Sequence, residues 1–277
     1  MPAQRAILSN RFVAAKLLPL PGEVHNLLLK PGTADRADAD GLPVPPRELW
    51  QRWGTTAEAY LLSGSNDTSR MLSILAESDV DERSLSRVLD FGCAEGRMLR
   101  AFPRANGSEL WGVDINASRI AWAQQHVSPP FRFATTTTAP HLPFADDCFD
   151  LVYAVSVFTH IGELADAWLL ELLRILKPGA CIYLTIHDEH TVRLLIEDYR
   201  DDPTHAYIVG LLREFDEETG ALSRDWSSFS ILADPAAHVF YDRAALLVKW
   251  SQFADVASVT PEATGYQTAL VLQKRLP

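Results

Sequence analysis

Residues Val88–Arg97, reading Val-Leu-Asp-Phe-Gly-Cys-Ala-Glu-Gly-Arg, restrict the possible folds of this chain more than any other stretch. An apolar run ending at Phe91 enters a turn bounded by Gly92 and Gly96. The pattern predicts a short strand, a tight turn and the start of a helix over 96–102. Such a turn aims backbone N–H groups and the positive end of a helix at a ligand. Glycine at the turn lets a ligand approach the main chain without meeting a Cβ.

The spacing narrows the ligand. A dinucleotide fingerprint requires G-x-G-x-x-G, and Gly92-x-x-x-Gly96 misses that register. A second acid, Asp114, closes the run Leu110-Trp-Gly-Val-Asp114, 24 residues after Asp90. That is close to the roughly 20 residues expected before a carboxylate that binds ribose hydroxyls at the end of the next strand. Ile115 beside it is placed to lie against an adenine face. The turn alone is weak evidence, but turn and acid together point to a nucleotide-type cofactor.

From Arg87 onward, apolar runs alternate with helical periodicity. Strands are predicted at 87–91, 109–114, 131–134, 149–155 and 180–186. Helices are predicted at 96–102, 117–127, 163–176 and 189–200, with Pro103 ending the first and Pro178-Gly179 the third. Alternation of this kind argues an α/β fold, a mostly parallel sheet with helices on both faces. Two β-rich segments, 253–260 and 266–274, are joined by a connection so short that they must pair antiparallel. The region 1–80 reads as an N-terminal arm followed by a helical cap. Residues 1–45 are proline-rich and irregular, a possible clamp on a neighbouring subunit. Residues 46–80 look helical, with Gly64-Ser-Asn-Asp67 as a loop and N-cap between two pieces.

Composition excludes several classes. The chain has 277 residues, 47% hydrophobic and 22% charged, enough for a substantial core. A formal charge of −11 leaves no visible basic face for a phosphate backbone, so nucleic acid is not the expected partner. Three cysteines without a C-x-x-C pair give neither a disulfide framework nor a metal motif. No apolar run reaches the roughly 20 residues of a membrane span, and no signal-peptide pattern opens the chain. The expectation is a cytoplasmic protein with no membrane partner.

Further motifs carry a resemblance. Leu142-Pro-Phe-Ala-Asp-Asp-Cys-Phe-Asp-Leu-Val152 is similar to an L-P-F-x-D-x-x-F-D-L-V segment. Ser156-Val-Phe-Thr-His160 follows it, and Leu172-Leu-Arg-Ile-Leu-Lys-Pro-Gly179 resembles an L-x-R-x-L-K-P-G-G helix ending. With Val88–Arg97 these stand in the order found in the class I, Rossmann-like S-adenosylmethionine-dependent methyltransferases. The family's fold is a seven-stranded sheet with a C-terminal antiparallel hairpin, here spanning 81–277. The resemblance implies bound S-adenosylmethionine, with Asp90 near its methionine amino group and Gly92, Cys93, Ala94 and Gly96 forming the turn beneath it. It also implies Asp114 on the ribose, Ile115 near the adenine, and Val155 or Ser156 along the methionine moiety. Thr138 stands about where the family often has an acid on the adenine amino group. Ala94 replaces a usual glycine, which an alanine tolerates at negative φ.

The remaining chemistry concerns the acceptor. Methyl transfer expels a neutral sulfur, so no acid is required, but a hydroxyl nucleophile must lose its proton. Histidine is the residue best poised to take it near neutral pH. His160 after the fourth strand is the first candidate base and His187 after the fifth is the second. His238, Tyr241 and Trp226 are candidate substrate contacts. The insertion at about 200–241 is the candidate substrate lid, and no metal site is expected. The reading is O-methylation of a small molecule, a sugar hydroxyl or secondary metabolite, by a chain for which a homo-oligomer is compatible. N- or C-methylation, and cofactor binding without turnover, are the alternatives.

Overall fold

The computed structural model describes residues 34, 36–50, 53–104, 107–223, 225–232 and 237–277. The chain divides into two units at the Tyr153/Ala154 peptide. Of the arm expected over 1–45, residues 1–33 and 35 lie outside the described residues.

The first unit holds β1 (Arg87–Phe91), β2 (Glu109–Asp114), β3 (Arg132–Thr135) and all but the last residue of β4 (Phe149–Ala154). All pairings are parallel, in the order β3-β2-β1-β4. A strand buried on both faces has no polar side to show, and Val88, Leu89, Asp90 and Phe91 of β1 are all buried. The Asp150 carboxylate accepts hydrogen bonds from the Ser86 and Arg87 amides at 3.0 and 2.8 Å, tying the start of β4 to that of β1. Asp146 and Asp147 form the turn before β4, with Asp147 at φ +53°.

Helix α1 runs unbroken over Ala57–Glu77, capped by the Thr56 side chain, which accepts from the Ala59 amide. Its buried residues Ala57, Tyr60, Gly64, Thr68, Met71 and Leu75 recur every three or four positions, the stripe of a helix with one inward face. The expected loop at 64–67 is therefore absent. Gly64 is there for packing, because a Cβ on it would stand 2.5 Å from the Arg97 carbonyl oxygen. Val44, Trp50, Ala57 and Tyr60 form a small apolar cluster, with Trp50 stacked on Tyr60 at 5.5 Å. The segment around Asp38 is held by Arg100, which pairs with Asp38 at 2.8 Å and donates to the Leu42 carbonyl. Helix α2 (Ala117–His126), capped by Asn116, joins β2 to β3.

The second unit is built on the 13-residue strand β5 (Leu176–Asp188), which follows helix α3 (Ala165–Ile175). Helices α4 (Glu189–Glu197) and α5 (Ala206–Thr219) follow β5, and the short strands β6 (Ser228–Ile231) and β7 (His238–Tyr241) come next. Helix α6 (Arg243–Trp250) and the hairpin of β8 (Asp255–Thr264) and β9 (Gln267–Gln273) complete the chain. β9 pairs antiparallel with both β5 and β8, so the expected terminal hairpin is present. β7 pairs parallel with β5, His187 opposite Phe240, and β6 pairs antiparallel with β7. These two strands add to the seven expected. The insertion packs Ile208, Val209, Leu212, Ile231 and Phe240 against Leu195 of α4 in one apolar cluster.

Candidate active site

In the first unit, the chain leaving β1 turns through Gly92 at φ +87°, Ala94 at +52° and Gly96 at +89°. The helix predicted over 96–102 is absent. Residues 94–98 form turns, followed by one 3-10 turn at Leu99–Ala101. Any polar attraction here therefore comes from local N–H groups rather than a helix dipole, which needs a longer run of aligned peptides. Ala94 departs from the expected negative φ. Its left-handed backbone is stabilised by its amide, which donates to Asp114 Oδ2 at 2.8 Å. Such a conformation costs an L-residue roughly 1–2 kcal/mol. Gly96 has its own packing reason, since a Cβ would meet the Phe133 ring at 3.1 Å.

Asp114 closes β2, half-buried, and its other oxygen accepts from the Asn116 amide at 2.7 Å. Two amides thus fix a carboxylate whose remaining lone pairs suit ribose hydroxyls. Ile115 follows it, half-buried, and Thr138 is exposed on a bend. The Cys93 side chain turns into the core, where its sulfur would lie 2.6 Å from a Cβ on Gly112, so only its main chain can serve a ligand. Burial, with the carboxylates of Asp90, Asp114 and Glu95 nearby, pushes the Cys93 thiol well up.

Asp90 is 4% exposed on β1. Burial pushes its carboxyl up to about 8; Tyr153 and the Arg97 guanidinium oppose the rise, and Asp114 adds to it. A carboxyl held in this state gains its charge readily when a cation arrives. The methionine ammonium of S-adenosylmethionine is such a cation, so the turn, Asp90 and Asp114 fit that cofactor. Around the turn, Tyr60 donates to Glu95 Oε1 at 2.9 Å and Arg119 lies 3.5 Å from Glu95 Oε2. Arg97 pairs with Asp67 at 2.7 Å and sits 3.8 Å over the Trp53 ring. Sequence reasoning missed these supports. Glu95 and Arg97 were legible only as turn residues, and their partners come from α1 and the segment before it.

In the second unit, β4 ends at Ala154, so Val155 and Ser156 lie in the turn that follows rather than in the strand. His160 closes a 3-10 turn, Phe158–His160. Its Nδ1 is 2.6 Å from the Ala237 carbonyl oxygen. A carbonyl has no proton to give, so Nδ1 carries the hydrogen and the neutral ring keeps its lone pair on Nε2. The His160 and His238 rings are 5.3 Å apart, and those of His187 and His238 are 6.1 Å apart. The three histidines are thus one cluster, which the sequence did not reveal. His187 is 2% exposed, against Phe240 and Tyr266. Burial, then the charges His160 and His238 acquire when protonated, lowers its pKa well below the usual imidazole value.

Two candidate substrate contacts are engaged elsewhere. The Tyr241 hydroxyl donates toward the carbonyls of Phe158 and Ile161 and braces the His160 segment. Trp226 packs edge-on against Phe229 at 4.8 Å, in the insertion's core. Asp188 caps α4 and Arg243 pairs with both Asp188 and Glu189, which accounts for the acids after His187. Among the described residues no cluster suits a metal ion, and no helix is long and apolar enough to cross a membrane.

Residues 89–184 match the family model described as a methyltransferase domain. The methyltransferase phqN of Penicillium fellutanum is 32% identical over 99 residues, 34% of this chain and 30% of that protein. The malonyl-[acyl-carrier protein] O-methyltransferase of Salmonella typhimurium is 28% identical over 53% of this chain and 56% of its own length. The chain thus spans about a third of the first relative and about half of the second. A crystal structure of an S-adenosylmethionine-dependent methyltransferase from Methanosarcina mazei shares the fold. It has a TM-score of 0.52 at 19% identity, over 73% of this chain and 98% of that one. Residues 89–184 are similar to the methyltransferase-domain family, and the fold is that of the Rossmann-like, class I S-adenosylmethionine-dependent methyltransferases.

Proposed function

We propose that this chain methylates a hydroxyl of a small molecule, a sugar or a secondary metabolite, with His160 as the general base. The observation that carries the reading is the His160–Ala237 hydrogen bond, which leaves the lone pair of the neutral ring on Nε2. When bound, S-adenosylmethionine supplies an electrophilic methyl carbon on a sulfonium. Asp114 would hold the ribose, Asp90 the methionine ammonium, and Val155 and Ser156 the methionine chain, with Ile115 and Thr138 toward the adenine. The chain's task is then alignment, which removes entropy from the barrier, and proton removal. As the acceptor oxygen forms its bond to carbon, His160 Nε2 takes the hydroxyl proton.

Relatives of comparable similarity are named O-methyltransferase resE, from Aspergillus sclerotiorum, and sterol 24-C-methyltransferase erg6, from Schizosaccharomyces pombe. The second name keeps carbon methylation as the rival. His238 stands as the acceptor contact in this proposal, and 200–241 as the segment that selects the acceptor.

The test is turnover of His160→Ala on an accepted hydroxyl substrate. A general base contributes roughly 10²–10⁴-fold, so kcat should fall by that factor with little change in cofactor affinity. A large loss in His187→Ala with His160→Ala nearly active would move the base to His187. Full activity in both would remove the histidine base from the proposal, and acceptors methylated at carbon would reject the hydroxyl reading.

A further inference from the structure

Ser156 is not glycine, yet its φ is +57°. A left-handed serine costs free energy and persists only where its surroundings hold it. Here a closed cycle of hydrogen bonds holds it. The Ser156 amide donates to Thr185 Oγ1 at 2.7 Å, and Thr185 Oγ1 donates to Gln267 Oε1 at 2.6 Å. Gln267 Nε2 in turn donates to Ser156 Oγ at 2.8 Å. Thr185 is fully buried on β5 and Gln267 is 8% exposed at the start of β9.

Burying an amide and two hydroxyls is favourable only when all are satisfied, because each lost partner leaves a desolvated group behind. An apolar residue at 267 would fill the same space without holding the serine. The cycle also has consequences along the chain. The turn at 155–157 leads into Phe158–His160, and the His160 amide donates to the Val157 carbonyl at 2.9 Å. Strand ends of open α/β sheets are where ligands bind, and this turn leaves the carboxyl end of β4.

We infer that Gln267 is a positioning residue, holding Ser156 in the left-handed conformation on which cofactor affinity depends. The inference rests on the methyltransferase reading, in which this turn receives the methionine end of the cofactor. S-adenosylhomocysteine is the probe, titrated calorimetrically into the full chain. Gln267→Leu should weaken its binding at least tenfold and speed amide exchange over 155–161. Adding Ser156→Gly should recover at least half of that loss on a logarithmic scale, because glycine adopts positive φ without support. A loss of general stability would not be rescued in this way. If Gln267→Leu does not fold, Thr185→Val breaks the same cycle from its other side, with the same expected loss and glycine rescue.

Wild-type affinity in a folded Gln267→Leu or Thr185→Val variant overturns the inference and leaves the methyltransferase reading standing. So does a loss that glycine does not rescue. Failure of the wild-type chain to bind the probe overturns both.

Discussion

Gly64 of α1 packs directly on the main chain of Arg97, close enough that a Cβ would stand 2.5 Å from the Arg97 carbonyl oxygen. This contact sets the helix against the turn that follows β1. Arg97 reaches back to Asp67 at 2.7 Å and to Ser63 at 3.3 Å. Helix propensity favours alanine over glycine by about 1 kcal/mol, whereas overpacking a tight contact costs typically 1–3 kcal/mol. Packing should win, because the atom in the way is backbone. Gly64→Ala is expected to lower stability by about 1–2 kcal/mol in urea denaturation. A stabilised variant would show that α1 can shift away from the turn.

Asp114 should dominate the ribose end. Its carboxylate is already oriented by the Ala94 and Asn116 amides, so little entropy is lost when it binds. Asp114→Ala should weaken S-adenosylhomocysteine binding by about 1–3 kcal/mol, the range for a charged or buried hydrogen bond. The variant also leaves the Ala94 amide without its partner, so circular dichroism must accompany the calorimetry. Unchanged affinity in a folded variant would remove Asp114 from the site.

Asp90 predicts a pH dependence. Its carboxyl is raised to about 8, above the ordinary value of about 3.9, so the folded chain binds more protons than the unfolded one between those limits. Stability from this group is complete below about pH 4 and is lost as pH rises through 8, with a limiting slope of about 1.4 kcal/mol per pH unit. Asp90→Asn should abolish that slope in cofactor-free protein, read from urea midpoints between pH 6 and 8.5. A wild-type stability flat over this range would contradict the assignment.

His187 predicts the opposite limb. Its pKa lies well below the free imidazole value of about 6.5, so the unfolded chain takes up the proton first. The contribution is neutral above pH 6.5 and destabilising below it, again with a limiting slope of about 1.4 kcal/mol per pH unit. His187→Phe should flatten the loss of stability between pH 6.5 and 5. Equal acid limbs in the two proteins would assign that limb to other groups.

Features written within a few residues were legible before the fold was known. The strand Val88–Phe91, the turn after it, Asp114 at the next strand end and the terminal hairpin all follow from apolar runs, glycine placement and short connections. Their conformations are set by neighbours in sequence and by the simple need to bury apolar residues.

Other features required the chain to return on itself. Gly64-Ser-Asn-Asp67 has the composition of a loop, yet it is helix, because packing against Arg97 outweighs weak local propensity. Ala94 adopts positive φ because a carboxylate 20 residues away takes its amide. The insertion's β7 lies beside β5, which brings His238 to His187 and carries Ala237 to His160. Gln267 meets Ser156 across 111 residues. No local pattern encodes such pairings. Each exists only because tertiary burial makes an unpaired amide, hydroxyl or imidazole costlier than the strained backbone or buried polar group that satisfies it.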